Sequence, residues 1–219
     1  MSERRRGASE RSLAASTGLI VVKLGGSVVR SAELQPWLDA IAQGAGRIVV
    51  VPGGGALADE VRSSQSSLGF GNEAAHRMAL LAMDQLAWAV AGLKSGFEVC
   101  DTEAALRDAL ARSVVAVWAP YALVSNRSDI PQSWTVTSDS LALWLAGQLQ
   151  ASACYVIKSI ARTVSAVSAE QLARDNVVDG AFPSMLKHAG VKTYLLGRGD
   201  QAAFAEMLAG APACGASID

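Results

Sequence analysis

The chain has 219 residues, 51% of them hydrophobic and only 5% aromatic, with a formal net charge of −1 at pH 7. That length suits one domain with a full core. The near-zero charge argues against nucleic acid or an anionic membrane surface as a partner, and no run of about 18 apolar residues suggests a membrane span.

Met1 to Thr17 is rich in Ser, Arg and Ala and lacks an apolar segment. It reads as a disordered tail rather than a secretory signal, with a transit peptide as the alternative. Cys100, Cys154 and Cys214 are odd in number and far apart. They read as free thiols in a reducing cytosol, so a cytoplasmic protein is expected. His76 and His188 are too few for a histidine-based metal site, and no metal-ligand spacing is present.

Leu19-Ile20-Val21-Val22 is an apolar run with three β-branched residues, which predicts a buried parallel strand. Lys23 stands at its end, and Gly25-Gly26-Ser27 follow. Ser31 to Ala42 carries Leu34, Trp37, Leu38 and Ile41 at helical spacing. Arg47 to Val51 predicts a second strand, running into Pro52-Gly53-Gly54-Gly55. A helix is expected from Ala56 to about Arg62, then a break over Ser63 to Gly71. Asn72 is expected to cap a helix reaching about Lys94, apolar on nearly every face. Such a helix is buried on more than one side, in a core or a subunit interface, so a homo-oligomer is expected.

Phe97 to Cys100 predicts a strand, and Thr102 a cap for a helix ending near Leu110. Ser113 to Trp118 predicts another strand, stopped by Pro120. Tyr121 to Val136 reads as a long polar connection, and Asp139 to Gln150 as a helix. Ala153 to Ile157 is a strand ending at Lys158. Val177 to Ala189 reads as mostly helical despite Pro183, and Val191 to Leu196 as the last clear strand. Gly197-Arg198-Gly199 turns into a helix from Asp200 to about Leu208. Alternating strands and helices predict an α/β fold with a mostly parallel sheet covered on both faces. In such sheets ligands bind beyond the carboxyl ends of the strands, where Lys23, Gly53–Gly55 and Lys158 all fall.

Glycines leave backbone N–H groups uncovered for a close-lying anion, and a strand-end lysine adds a movable positive charge. Two such loops and two such lysines suggest a site for more than one phosphate group. Neither the P-loop nor the dinucleotide-binding glycine pattern is present, which argues against those two classes. Thr137-Ser138-Asp139 can cap a helix, but three such residues followed by Ser140 exceed what a cap requires. Asp139 is expected to hold the ammonium groups of Lys23 and Lys158 between phosphates.

Together, Lys23-Leu-Gly-Gly-Ser27, Pro52-Gly-Gly-Gly55 and Thr137-Ser-Asp-Ser140 resemble the amino-acid kinase superfamily over about residues 19–210. The resemblance implies a three-layer αβα sandwich formed by residues 18–219, and a phosphotransferase using Mg²⁺ and ATP. It implies that Lys23 neutralises the transferred phosphoryl group and that Gly25, Gly26 and Ser27 approach the donor phosphates with Lys158. Gly53–Gly55 would hold the acceptor, with Thr137 and Ser138, and Asp139 would order the lysines. Arg198, between glycines at a strand end, is set on the nucleotide side or in a solvated turn. His76 reads as a core histidine or an acceptor-phosphate donor. Asp179 reads as a helix-start cap or the partner of a substrate ammonium. Trp134 and Trp144 read as packing residues.

The stretches Val51 to Asp59, Ala75-His76-Arg77-Met78-Ala79, Ala82-Met83-Asp84 and Asp179 to Pro183 resemble one small branch of that superfamily. These are the kinases of [5-(aminomethyl)furan-3-yl]methyl phosphate in methanofuran-type cofactor synthesis, whose acceptor is a small phosphate monoester. Uridylate or isopentenyl phosphate kinase activity, or non-catalytic binding of nucleotide or oxyanions, are the other readings. Two departures stand out. Many relatives carry Asp-Val-Asp-Gly-Val-Tyr where this chain has Ser159 to Ser165. Many also carry a second catalytic lysine in a Gly-Gly-Met-x-x-Lys helix, where this chain has Phe182 to Lys187. Whether Lys158 or Lys187 takes that role is open, the strand-end position favouring Lys158.

Overall fold

The computed structural model describes residues 18–162 and 165–219. The expected tail over 1–17 lies outside them. Seven strands form one sheet in the order β3-β4-β2-β1-β5-β6-β7. They are β1 (Ile20–Leu24), β2 (Ile48–Pro52), β3 (Phe97–Cys100), β4 (Val115–Trp118), β5 (Ala153–Ile157), β6 (Lys192–Leu196) and β7 (Ala216–Ser217). All neighbours pair in parallel except β7, which runs antiparallel to β6. β1 lies at the centre, entirely buried between β2 and β5, as its unbroken apolar run requires.

Helices cover both faces. Trp37, Leu38 and Ile41 of α2 (Leu34–Ala42) and Phe204 and Leu208 of α10 (Gln201–Leu208) pack on one side against Ile20, Val22 and Leu24. Leu106 of α5 (Glu103–Ala111), Leu141 and Leu145 of α7 (Ser138–Gln148), Leu172 of α8 (Ala169–Arg174) and Phe182 of α9 (Phe182–Ala189) pack on the other, against Val21, Cys154 and Val156. The result is a three-layer αβα sandwich. The long helix α4 (Asn72–Leu93) feeds both cores, Leu80 and Met83 into one and Ala87 and Val90 into the other. No helix among the described residues is long and apolar enough to cross a membrane.

Several boundaries differ from expectation. The break expected over Ser63 to Gly71 is mostly helix: α3 runs Gly55–Leu68 and stops where Gly69 turns left-handed at φ 75°. Ser and Gln are tolerated in a helix whose other face is packed, and the true stop is the glycine. Asn72 does not cap α4, whose cap position is Gly71; its Oδ1 instead accepts a hydrogen bond of 3.0 Å from Gln65 Nε2. The long polar connection holds a short helix, α6 (Tyr121–Val124), and another, α1 (Gly26–Val29), follows β1. The expected helix from Val177 begins only at Phe182, with Pro183 in its first turn where the missing N–H costs nothing. α8 and β7 were not foreseen. Thr102 caps α5, its hydroxyl accepting from Ala105 N–H at 3.2 Å. Cys100 and Cys154 are buried free thiols and Cys214 is half-buried.

Candidate active site

Side chains alternate across a strand, so Lys23 shares the face of Val21, and Lys158 shares that of Cys154 and Val156. β1 and β5 are adjacent and parallel, which brings both lysines to one rim of the sheet, on the side covered by α7. The first turn of α7 ends over that rim and presents Asp139 to both. Lys23 Nζ lies 2.8 Å from Oδ1 and Lys158 Nζ 2.7 Å from Oδ2. All three are shielded from water, their side chains being 4%, 15% and 5% exposed for Lys23, Lys158 and Asp139.

Burial pushes the Asp139 carboxyl up, but the two ammonium groups overcome it and hold the group below the usual carboxylate range. Lys158 is pulled down to about 8, by burial and then by the neighbouring Lys23 charge, against the opposing pull of Asp139. Two ammoniums sharing one carboxylate leave a surplus positive charge at the floor of the cleft. An anion is the natural occupant.

The walls are backbone. A Cβ on Gly26 would lie 2.6 Å from Gly55 Cα, and one on Gly53 would lie 2.8 Å from Gly26 N. The two glycine loops therefore touch main chain to main chain, a packing no larger residue permits. Gly53 N–H donates to Leu24 O at 2.9 Å, which locks the second loop to the end of β1. No side chain caps α3 at Gly54, so its first N–H groups face the cleft uncovered, the electropositive end of a helix of 14 residues. The cleft encloses about 260 Å³. Beyond the lysines and glycines it is bounded by Ser27, Thr137, Ser138 and His76, and by Leu80, Met83 and Trp134. His76 is buried, and burial followed by the nearby Arg77 charge lowers its pKa, so the imidazole is neutral at pH 7.

Residues 18–189 match the profile of the amino acid kinase family. The chain belongs to that family. A [5-(aminomethyl)furan-3-yl]methyl phosphate kinase of Methanocaldococcus jannaschii is 25% identical over 189 residues, 80% of this chain and 86% of the relative. Among solved structures, uridylate kinase from Archaeoglobus fulgidus superposes with a TM-score of 0.68 at 19% identity, over 92% of this chain and 100% of that one. UMP kinase from Bacillus anthracis gives 0.64 at 15% identity, over 91% and 95%. Aspartate kinase from Synechocystis gives 0.61 at 16% identity, over 82% of this chain and 37% of its own. These likenesses establish the amino acid kinase fold, and the protein is a phosphotransferase of that family.

Within this amino acid kinase, Lys23, Gly26, Ser27, Gly53, Gly54, Gly55, His76, Thr137, Ser138, Asp139 and Lys158 meet around one cleft. Three residues expected there do not line it. Gly25 lies just behind, its N–H donating to Ile157 O at 3.1 Å. Arg198 is exposed, and its backbone N–H donates to Ile160 O at 2.9 Å, on the far side of Lys158. Asp179 faces α7 instead: it is a helix-start cap as expected, but of a helix whose capped residues lie 42 and 39 positions earlier rather than its own. Lys187 is exposed on α9 and pairs with Glu170 at 3.1 Å, remote from Asp139.

The sequence reading missed Asp59, Arg62 and Trp134. Trp134 is a cleft wall rather than buried packing: its Nε1 donates to Gln65 Oε1 at 2.6 Å, and the Arg62 guanidinium lies 4.3 Å above its ring. Trp144 does pack, stacking on Trp118 at 6.0 Å. Asp59 and Arg62 follow Gly55 by four and seven positions, so helical spacing from the glycine loop would have put both on the cleft side.

Proposed function

We propose that the protein transfers the γ-phosphoryl group of ATP to a small phosphate monoester, [5-(aminomethyl)furan-3-yl]methyl phosphate being the first candidate, to make a diphosphate. The observation that carries this reading is the convergence of Lys23 and Lys158 on Asp139 beneath two touching glycine loops. Phosphoryl transfer asks chiefly for two anions in line and for charge to meet the transferring group. Lys23 and Lys158 supply that charge, and Asp139 keeps the ammoniums from repelling each other apart. Gly26 and Ser27 take the donor side. The open N–H groups at Gly54 and Gly55, with Arg62, take the acceptor phosphate.

The acceptor end favours a flat, partly apolar molecule. Leu80, Met83 and Trp134 offer apolar surface to a ring, while Asp59 offers a carboxylate to an ammonium. That combination fits an aminomethylfuran phosphate, the compound in the name of the M. jannaschii relative. The residues at the floor do not make a cage for Mg²⁺: Asp139 is committed to two ammoniums, and no group of three candidate metal ligands occurs among the described residues. The ion would arrive on the nucleotide phosphates and supply further neutralisation of donor charge.

Met78, Leu81 and Trp88 of α4 stay 39%, 44% and 70% exposed. We assign that stripe to contact with a second copy, so the working unit is a homo-oligomer. Buried free thiols at Cys100 and Cys154 suit a reducing cytoplasm. Phosphorus NMR of the protein with ATP and the furan phosphate tests the reading. A new diphosphate pair of resonances growing with ADP supports it, and an unchanged monoester signal refutes it.

A further inference from the structure

Asp179 lies in the segment between α8 and α9 and does not line the cleft. Its Oδ2 accepts from Thr137 N–H at 2.8 Å, from Thr137 Oγ1 at 2.8 Å and from Ser140 N–H at 3.0 Å. Its Oδ1 accepts a short bond from the Ser140 hydroxyl. A second tie runs alongside, from Ala181 N–H to Thr135 O at 2.9 Å. All four side-chain bonds fall on the first turn of α7, the turn that carries Asp139.

That placement resolves a competition. An aspartate in the first turn of a helix ordinarily bends back to satisfy the bare N–H groups there. Thr137 makes no side-chain cap bond to α7. Asp179 occupies those donors from outside, so both oxygens of Asp139 remain free to face Lys23 and Lys158. We propose that Asp179 is the positioning residue of this site, fixing Asp139 and through it both lysines by clamping the first turn of α7. The clamp is costly, which argues against an incidental contact. Burial, followed by the nearby Asp139 charge, raises the Asp179 pKa, and the bonds from Ser140 and Thr137 work against that rise. A second carboxylate is thus kept beside Asp139 although the two repel.

The proposal rests on the kinase reading for its kinetic test, and a chemical readout keeps the two separable. In Asp179→Asn, kcat should fall about 10- to 100-fold, the scale of a misplaced catalytic group, while KM for ATP and for the furan phosphate stays within about twofold. Trace acylation with acetic anhydride at pH 8, read by mass spectrometry, should label Lys158 several-fold faster than in the wild type. Exposed Lys187 should label equally in both. A rise in acceptor KM with kcat unchanged would make Asp179 a substrate contact and overturn the proposal. A lower melting temperature with normal kcat and normal Lys158 labelling would make it merely structural and overturn it too. Should Asp179→Asn fail to fold, Ser140→Ala removes the bond to Oδ1 alone and is judged by the same measurements. If the wild type phosphorylates nothing, the kinase reading fails, and Lys158 labelling alone decides the clamp.

Discussion

Lys23 and Lys158, on neighbouring parallel strands, hold opposite oxygens of a single carboxylate: Nζ to Oδ1 of Asp139 at 2.8 Å, and Nζ to Oδ2 at 2.7 Å. Two cations and one anion in a space nearly closed to water form an arrangement that stability alone does not favour. Buried ion pairs rarely repay the water they lose. A second negative charge, delivered by a phosphoryl group, would balance them.

Lys23→Ala should therefore lower kcat by about 10²-fold or more while the protein stays folded, because the lost charge acts on the transition state. Steady-state kinetics with circular dichroism on the same sample checks both halves. Near-normal turnover would remove Lys23 from the mechanism.

Asp139→Asn should be the harsher change for stability. It leaves two ammoniums facing each other with no counter-charge, a loss of about 3–5 kcal/mol for a broken buried pair. Urea unfolding at pH 7 measures it, and a loss below about 1 kcal/mol would contradict the shared-carboxylate account.

Activity and stability should respond to alkali in opposite directions. With Lys158 lowered to about 8 in the free protein, kcat/KM should fall as pH rises through that value and the ammonium is lost. Bound phosphates favour the ammonium, so kcat should persist to higher pH. For stability the sign reverses. The folded pKa lies below the ordinary 10.5, so between about 8 and 10.5 the unfolded chain binds more protons and this group's contribution to stability rises with pH. Lys158→Met should flatten that rise in a thermal denaturation series.

Gly26→Ala should damage catalysis through the main chain alone. The added methyl meets Gly55 Cα at 2.6 Å and Gly55 N at 2.7 Å, so the two loops must part. We expect kcat/KM to drop by about 10²-fold for both substrates, the scale of a displacement near 1 Å. The same change at Gly92, with open space around its Cβ position, should leave turnover unchanged.

Light scattering at micromolar concentration should give a mass above that of one 22.7 kDa chain. Leu81→Glu with Trp88→Glu should return it to the monomer, by placing charges on the exposed stripe of α4. A wild-type monomer would refute that assignment.

Much of this architecture can be read from local pattern. The apolar run before Lys23 and the one before Lys158 predict strands, and a two-residue period puts both lysines on one face. What could not be read depends on distant partners. Nothing near Asp179 in sequence reveals that its carboxylate caps α7, through bonds to residues 42 and 39 positions earlier. Asn72 looks like a cap because its residue type suits one, yet Gly71 takes the position and Asn72 turns to Gln65. Ser63 to Leu68 looks like a break because polar residues suppress the apolar rhythm, although the helix is held by its packing on α4 and ends only at Gly69. β7 is two residues long, below what periodicity can register. Asp59 and Arg62 are the exceptions among the misses, since counting four and seven positions from Gly55 would have found both.

Coupled ADP release with [5-(aminomethyl)furan-3-yl]methyl phosphate, UMP and isopentenyl phosphate, on wild type and Lys23→Ala side by side, bears most directly on the shared cationic floor. The wild type should release ADP in an acceptor-dependent way, fastest with the furan compound, and the variant almost none. Turnover with UMP or isopentenyl phosphate alone would contradict the acceptor assigned here. Equal rates in the two proteins would contradict the catalytic role of Lys23, and no acceptor-dependent ADP from any compound would contradict phosphoryl transfer at this site.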